Sequence, residues 1–121
     1  MPKSVLALGL DPFRADLTGF PALTPELVSN FIETQLERLR DLGYEVESCL
    51  LDPDRDLEAF VAKRLARRSF DCVMIGAGLR ASPLLLVFEQ LVNLVHAQAP
   101  GAKICFNSTP ADTAEAVQRW I

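Results

Sequence analysis

The stretch FDCVMIGAGLRASP, at positions 70–83, decides the fold class. In its first part, residues 70–75, the apolar Cys72, Val73, Met74 and Ile75 run together without alternation, the pattern of a strand covered on both faces. Two glycines then interrupt the run, and Ser82-Pro83 sets a side-chain acceptor before a proline, the expected start of a helix. A buried strand, a short loop and a helix start in that order make half of a βαβ crossover, so a parallel sheet is expected.

Upstream, residues 44–51 (YEVESCLL) alternate, with Tyr44, Val46, Ser48 and Leu50 on one face and Glu45, Glu47, Cys49 and Leu51 on the other. Two glutamates on one face suit an edge strand, where charge discourages pairing with another chain. Leu57, Phe60, Val61 and Leu65 form the stripe of the helix that follows, and it ends in Arg67-Arg68, where the helix dipole favours cations. Further back, SVLALGL at residues 4–10 reads as a short buried strand. Residues 24–42 then carry Val28, Phe31, Ile32, Leu39 and Leu42 at helical spacing before the stop at Gly43. Downstream, a helix is expected from Pro83 to about Ala97, a strand at residues 103–106 and a last helix at residues 111–121. Thr24-Pro25, Asp52-Pro53 and Thr109-Pro110 repeat the cap-plus-proline pair. At the second, Asp54 and Asp56 compete as caps, and Asp112 adds a weaker capping box to the third.

Strands alternating with helices predict one α/β domain over residues 1–121: a three-layer sandwich with a four-stranded, mostly parallel sheet of order 2-1-3-4. This is a flavodoxin-like or Rossmann-like arrangement, a level of similarity that spans many chemistries. The expected core includes Val5, Ala7, Val28, Phe31, Val61, Val73, Ile75, Leu91, Ile104 and Val117.

Sixteen acidic against twelve basic residues leave a net charge of −4, which argues against nucleic acid as a partner. The longest apolar segment, residues 84–95, is interrupted by Glu89, Gln90 and Asn93 and falls short of the roughly 20 residues that a membrane span needs. No leader pattern opens the chain, so a cytoplasmic protein is expected. Cys49, Cys72 and Cys105 show no C-x-x-C spacing and sit in strand-like runs, so they read as reduced, buried thiols.

In an open sheet of this order a ligand is expected beyond the carboxyl ends of strands one and three. The loops there bring Asp11 and Arg14 together with Gly76, Gly78 and Arg80, flanked by Asn107, Ser108 and Thr109 from strand four. GAGLRA matches a dinucleotide fingerprint, but it follows the third strand, no acid ends the next one, and the helix start lies beyond the glycines. A phosphate or carboxylate held by backbone N–H groups and Arg80 is the broader expectation. The alternative is that the glycines allow a tight turn and that Arg80 pairs with Asp11 or Asp52. The loop at residues 11–23 is long for such a connection: either a binding segment, or a compact loop packed by Phe13, Leu17 and Phe20.

No catalytic set emerges. His96 falls at the opposite edge of the sheet, Ser108 lacks the G-x-S-x-G elbow, and Asp11, Asp52 and Asp54 read as turn and cap residues rather than metal ligands. No cofactor is assigned. Two functional expectations remain. The first is a domain, enzymatic or not, that binds an anionic metabolite or nucleotide. The second is an interaction module that forms a homodimer through the helix at residues 83–97, whose apolar side chains cover about half its cylinder, more than one sheet needs.

Overall fold

The computed structural model describes residues 2–121, and the side chain of Ser82 lies outside the described part. Four strands, β1 (Ser4–Leu10), β2 (Glu45–Leu51), β3 (Cys72–Ile75) and β4 (Lys103–Phe106), form one sheet in the order β2-β1-β3-β4. Every neighbouring pair is parallel, with Leu8 opposite Cys49 on one side and Ile75 on the other. The helices between them are α1 (Pro25–Asp41), α2 (Leu57–Arg67), α3 (Leu85–Gln98) and, after β4, α4 (Thr113–Gln118).

The central strands place successive side chains on opposite faces. Leu6 and Leu8 of β1 and Val73 and Ile75 of β3 meet Val61, Leu65, Leu91 and Val95 from α2 and α3. Val5, Ala7, Cys72 and Met74 meet Leu36 and Leu39 of α1 and Val117 of α4 on the other side. The crossover from β1 to β2 runs one way along the sheet; those from β2 to β3 and from β3 to β4 run the other way. With one hand of crossover throughout, α1 must cover one face and α2 and α3 the opposite one, as they do.

Local chemistry sets the helix starts. Thr24 Oγ1 accepts the Leu27 N–H at 3.1 Å, and Pro25 takes the first helical position as expected. Asp52 instead closes a turn by accepting from Asp54 N–H, and Asp56 caps α2 through Ala59 N–H at 3.2 Å. Thr109 likewise accepts from Ala111 N–H in a turn, so α4 begins at Thr113 rather than residue 111. The cap expected of the Ser82 side chain lies outside the described residues; the backbone makes a 3₁₀ turn at Ser82–Leu84 before α3 opens at Leu85.

Three of the ten expected core residues behave differently. Phe31 is 40% exposed and Val28 is half-buried, while Gln35, Leu36 and Leu39 carry the buried contact of α1. Ile104 is half-buried on the edge strand β4, and the remaining seven are buried. Gln35 had no expected role. Its Oε1 accepts the Ala114 N–H at 3.1 Å, so a buried amide joins α1 to the start of α4.

The glutamates of the edge strand β2 are matched by α2: Glu47 lies 3.2 Å from Arg64 and 3.9 Å from Arg67, and Glu45 lies 2.7 Å from Arg68. Among the described residues no helix is long and apolar enough to cross a membrane.

All three cysteines are free and buried. The Cys72 and Cys105 sulfurs lie 3.3 Å apart, yet Cys72 is in register with Lys103, two residues from Cys105. That diagonal across parallel strands separates the Cα atoms by about 8 Å, beyond the roughly 7 Å that a disulfide tolerates. Burial raises the Cys49 thiol pKa from 9.0 to about 11, outweighing the nearby Arg64 charge. The unfolded thiol therefore ionises first as pH rises, and the folded state loses its relative stability between about pH 9 and 11. Urea unfolding across that window should show a steeper loss for wild type than for Cys49→Ala; equal slopes would remove the thiol from the account.

Candidate functional site

The carboxyl ends of the strands carry every residue that the sequence nominates, and the structure divides them into two groups. The first surrounds the end of β1. Asp11 N–H donates to Leu51 O at 2.9 Å, continuing the β1–β2 pairing, and its carboxylate accepts from Phe13 N–H at 3.0 Å to start the turn Pro12–Arg14. Arg14 Nε comes within 3.7 Å of Asp52 Oδ2, and Arg55 Nε lies 3.8 Å from the same oxygen. The two arginine side chains are 61% and 81% exposed. One carboxylate thus serves two loosely held guanidinium groups.

The second group lies over β3 and β4. Gly76 N–H donates to Leu8 O at 2.8 Å, and a Cβ there would stand 3.3 Å from that same oxygen. A Cβ on Gly78 would stand 3.2 Å from Leu10 Cβ. Both glycines thus let the loop after β3 pass close against β1. Their φ demands do not enter, since Gly43 supplies the positive φ among the described residues.

Arg80 holds this loop to the end of β4. Its Nη1 donates to Ile75 O at 2.5 Å and to Asn107 Oδ1 at 3.3 Å, its Nη2 donates to Asn107 O, and the guanidinium lies 5.3 Å over the Phe106 ring. Burial lowers its pKa, while the Asp112 charge opposes that. The expected pairing of Arg80 with Asp11 or Asp52 is not made; those carboxylates face Arg14, Arg55 and backbone N–H groups instead. Asn107 is buried, and its side chain is also committed: Oδ1 accepts from Ala77 N–H at 2.9 Å and Nδ2 donates to Thr113 Oγ1 at 3.1 Å.

Ser108 and Thr109 are exposed, and their N–H groups donate to the Asp112 carboxylate, which also accepts from Ser108 Oγ. Partial burial works against ionisation of Asp112, but these bonds and the Arg119 charge hold its carboxyl below the usual range. By its spacing Asp112 takes the back-bonding place of a capping box on Thr109; the Thr109 N–H does donate to it, but α4 starts at Thr113, so the bond organises the loop before the helix. Sequence reading missed the Asp52–Arg55 contact, although Asp52, Asp54, Arg55 and Asp56 form a dense charge run directly after β2.

Two cavities lie away from these loops. One of about 310 Å³ sits at the amino edge between Phe70, Ser69, Gln98 and Gly101, and a shallow trough of about 450 Å³ follows the outer face of α1 from Glu33 to Asp41. His96 is exposed near the carboxyl end of α3, far from the loops after β1 and β3. Among the described residues no group of three or more His, Cys, Asp or Glu is placed to hold a metal ion. In comparisons with known proteins the chain matches no family model, and no curated relative is found by sequence.

The arrangement assigns Arg80 a joining role between two strand ends. Arg80→Ala leaves the Ile75 and Asn107 carbonyls without their charged donor and should cost about 1–3 kcal/mol of unfolding free energy. Arg80→Lys should recover only part of this, because one ammonium cannot reproduce the planar fork. A urea titration reads both variants; a midpoint for Arg80→Ala equal to wild type would mean that the contacts contribute nothing.

Proposed function

We propose that this domain is a non-enzymatic interaction module that associates with a second copy of itself along the side of α3 that borders β4. The observation that carries the reading is apolar surface left over after α3 has docked. Leu91, Leu94 and Val95 are buried against the sheet, whereas Leu85 remains 56% exposed and Phe106 37% exposed. Leu85, Phe88 and Val92 stand at i, i+3 and i+7 and so share one flank of the helix, within about 60° of each other. The Phe88 ring meets the Phe106 ring edge-on at 5.5 Å, which joins that flank to the end of β4. An exposed apolar surface continuous over two elements favours association, and in a cyclic dimer the same patch meets itself. We place the protein in the cytoplasm, where its three free thiols stay reduced.

A second reading, an anionic small molecule at the carboxyl edge, is favoured by one observation: the Arg14 guanidinium is mostly exposed and only loosely paired. Arg14 and the Thr109 hydroxyl would supply its donors, since Arg80 and Asn107 are engaged in the joint between β3 and β4 and the Ser108 donors and Thr109 N–H are held by Asp112. Pyrophosphate, nucleotides and dicarboxylates should then raise the melting temperature of wild type more than that of Arg14→Ala. If no compound shifts either protein, this reading falls.

Light scattering after size exclusion tests the first reading. At tens of micromolar the mass should be twice the 13.3 kDa of one chain, and Leu85→Glu should return it to the single-chain value. A wild-type mass that stays at 13.3 kDa through concentration would overturn self-association.

A further inference from the structure

We infer that the two copies join by antiparallel pairing of their β4 edges about a two-fold axis at Ile104, which makes one continuous eight-stranded sheet. This rests on the self-association reading and names the contact that performs it.

The two edges of the sheet differ. On β2, Glu45 and Glu47 engage Arg64, Arg67 and Arg68, so a strand added there would have to displace or desolvate three ion pairs. On β4, the Lys103 N–H donates to Asp71 O, which turns the backbone of residue 103 toward β3. Alternation along a parallel ladder then turns residue 105 the same way and directs Ile104 and Phe106 outward. Arg119 Nη2 already donates to the Phe106 carbonyl at 2.8 Å. Among the described residues of β4, Ile104 therefore keeps both its N–H and its C=O toward the open edge. A two-fold axis beside Ile104 lets the two copies exchange that pair of hydrogen bonds, the closed antiparallel arrangement. Pairing β4 of one copy with β2 of another would instead run on as an open polymer and meet the charged edge.

The helix above this edge fits the same axis. Phe88 of α3 stands level with Phe106, because their rings touch. Ile104 lies two residues back along the strand, about 6.6 Å. At about 1.5 Å per residue this corresponds to four or five residues along α3, which reaches Val92 and Asn93. An axis at that level sets α3 antiparallel to the partner's α3, with half-buried Val92 near the centre. Glu89 and His96, both exposed, lie equally far on either side of that level and share one flank, seven residues apart. The axis therefore brings Glu89 opposite the partner's His96, twice by symmetry. An acceptor and a donor placed at mirrored distances from the axis already fixed by Ile104 make a second copy of this chain the occupant that fits.

The test is a charge exchange read by sedimentation at several dilutions, together with amide exchange at Ile104. Glu89→Lys and His96→Glu should each weaken the dimer by roughly tenfold, and the double variant should return to within about threefold of wild type. The Ile104 amide should be protected in the dimer and exchange at least about tenfold faster in monomeric Leu85→Glu. A wild-type dimer in which neither single variant weakens association and Ile104 exchanges freely would overturn the edge pairing while leaving self-association intact. A wild type that is monomeric at every concentration overturns both.

Discussion

Two strands of this protein are covered by helices on both faces, and the rest of the structure follows from that double burial. Val5, Leu6 and Leu8 of β1 and Cys72, Val73 and Ile75 of β3 are fully enclosed. Each fully buried Val, Leu or Ile side chain contributes about 1.5–3 kcal/mol of transfer free energy, and none of these positions tolerates charge. The strands' backbone groups have no water to bond, so they must find their partners in the ladder, and β1 pairs on both sides with β2 and β3. Helices are then needed on each face, which fixes α1 and α4 on one side and α2 and α3 on the other.

Because the centre excludes charge, charge collects where strands end or meet solvent. At the β2 edge it takes the form of glutamates matched to the last turn of α2, so the arginines there serve a packing purpose as well as a dipole one. At the carboxyl ends, β3 and β4 stop and leave carbonyls with no further ladder. Arg80 meets that need by reaching the last carbonyl of β3 and the carbonyl just after β4 with one planar fork, while its guanidinium lies over the Phe106 ring. A cation that a sequence pattern presents as a ligand donor can be fully used in joining two ends of its own sheet.

This difference explains what was legible. The central strands followed from apolar runs at residues 4–10 and 72–75, whose meaning depends only on burial. The cap at Thr24 was legible because the acceptor and the N–H lie three residues apart in the same segment. Where several acceptors compete, as among Asp52, Asp54 and Asp56, the choice turns on which N–H groups the loop presents, and residue type does not encode that. Phe31 misled for a related reason: helical periodicity identifies an apolar face but not how much of the helix overlies the sheet. The strand ends that carry the candidate loops follow from the sheet order, whereas the partners of Arg80 are backbone carbonyls, which every residue carries and no motif marks.

The two flanks of α3 show how a single helix can be apolar for different reasons. Toward α2, Gln90 donates to Glu58 at 2.8 Å, a polar seam between helices that already touch. Toward β4, the corresponding positions are Leu85, Phe88 and Val92, of which Phe88 meets the Phe106 ring and Leu85 stays exposed. A monomer that needed only its own core would gain nothing from exposing Leu85 there, since a polar residue at that position would serve the sheet equally well. The apolar flank and the free Ile104 backbone groups lie on the same side of the molecule and at matching heights, while the opposite edge is occupied by ion pairs. A docking partner that uses hydrogen bonds at the strand and apolar contact at the helix satisfies both leftovers at once. The Arg119 cap on Phe106 limits the strand contact to one residue pair, so most of the binding free energy has to come from the helix flank, with the edge setting its register.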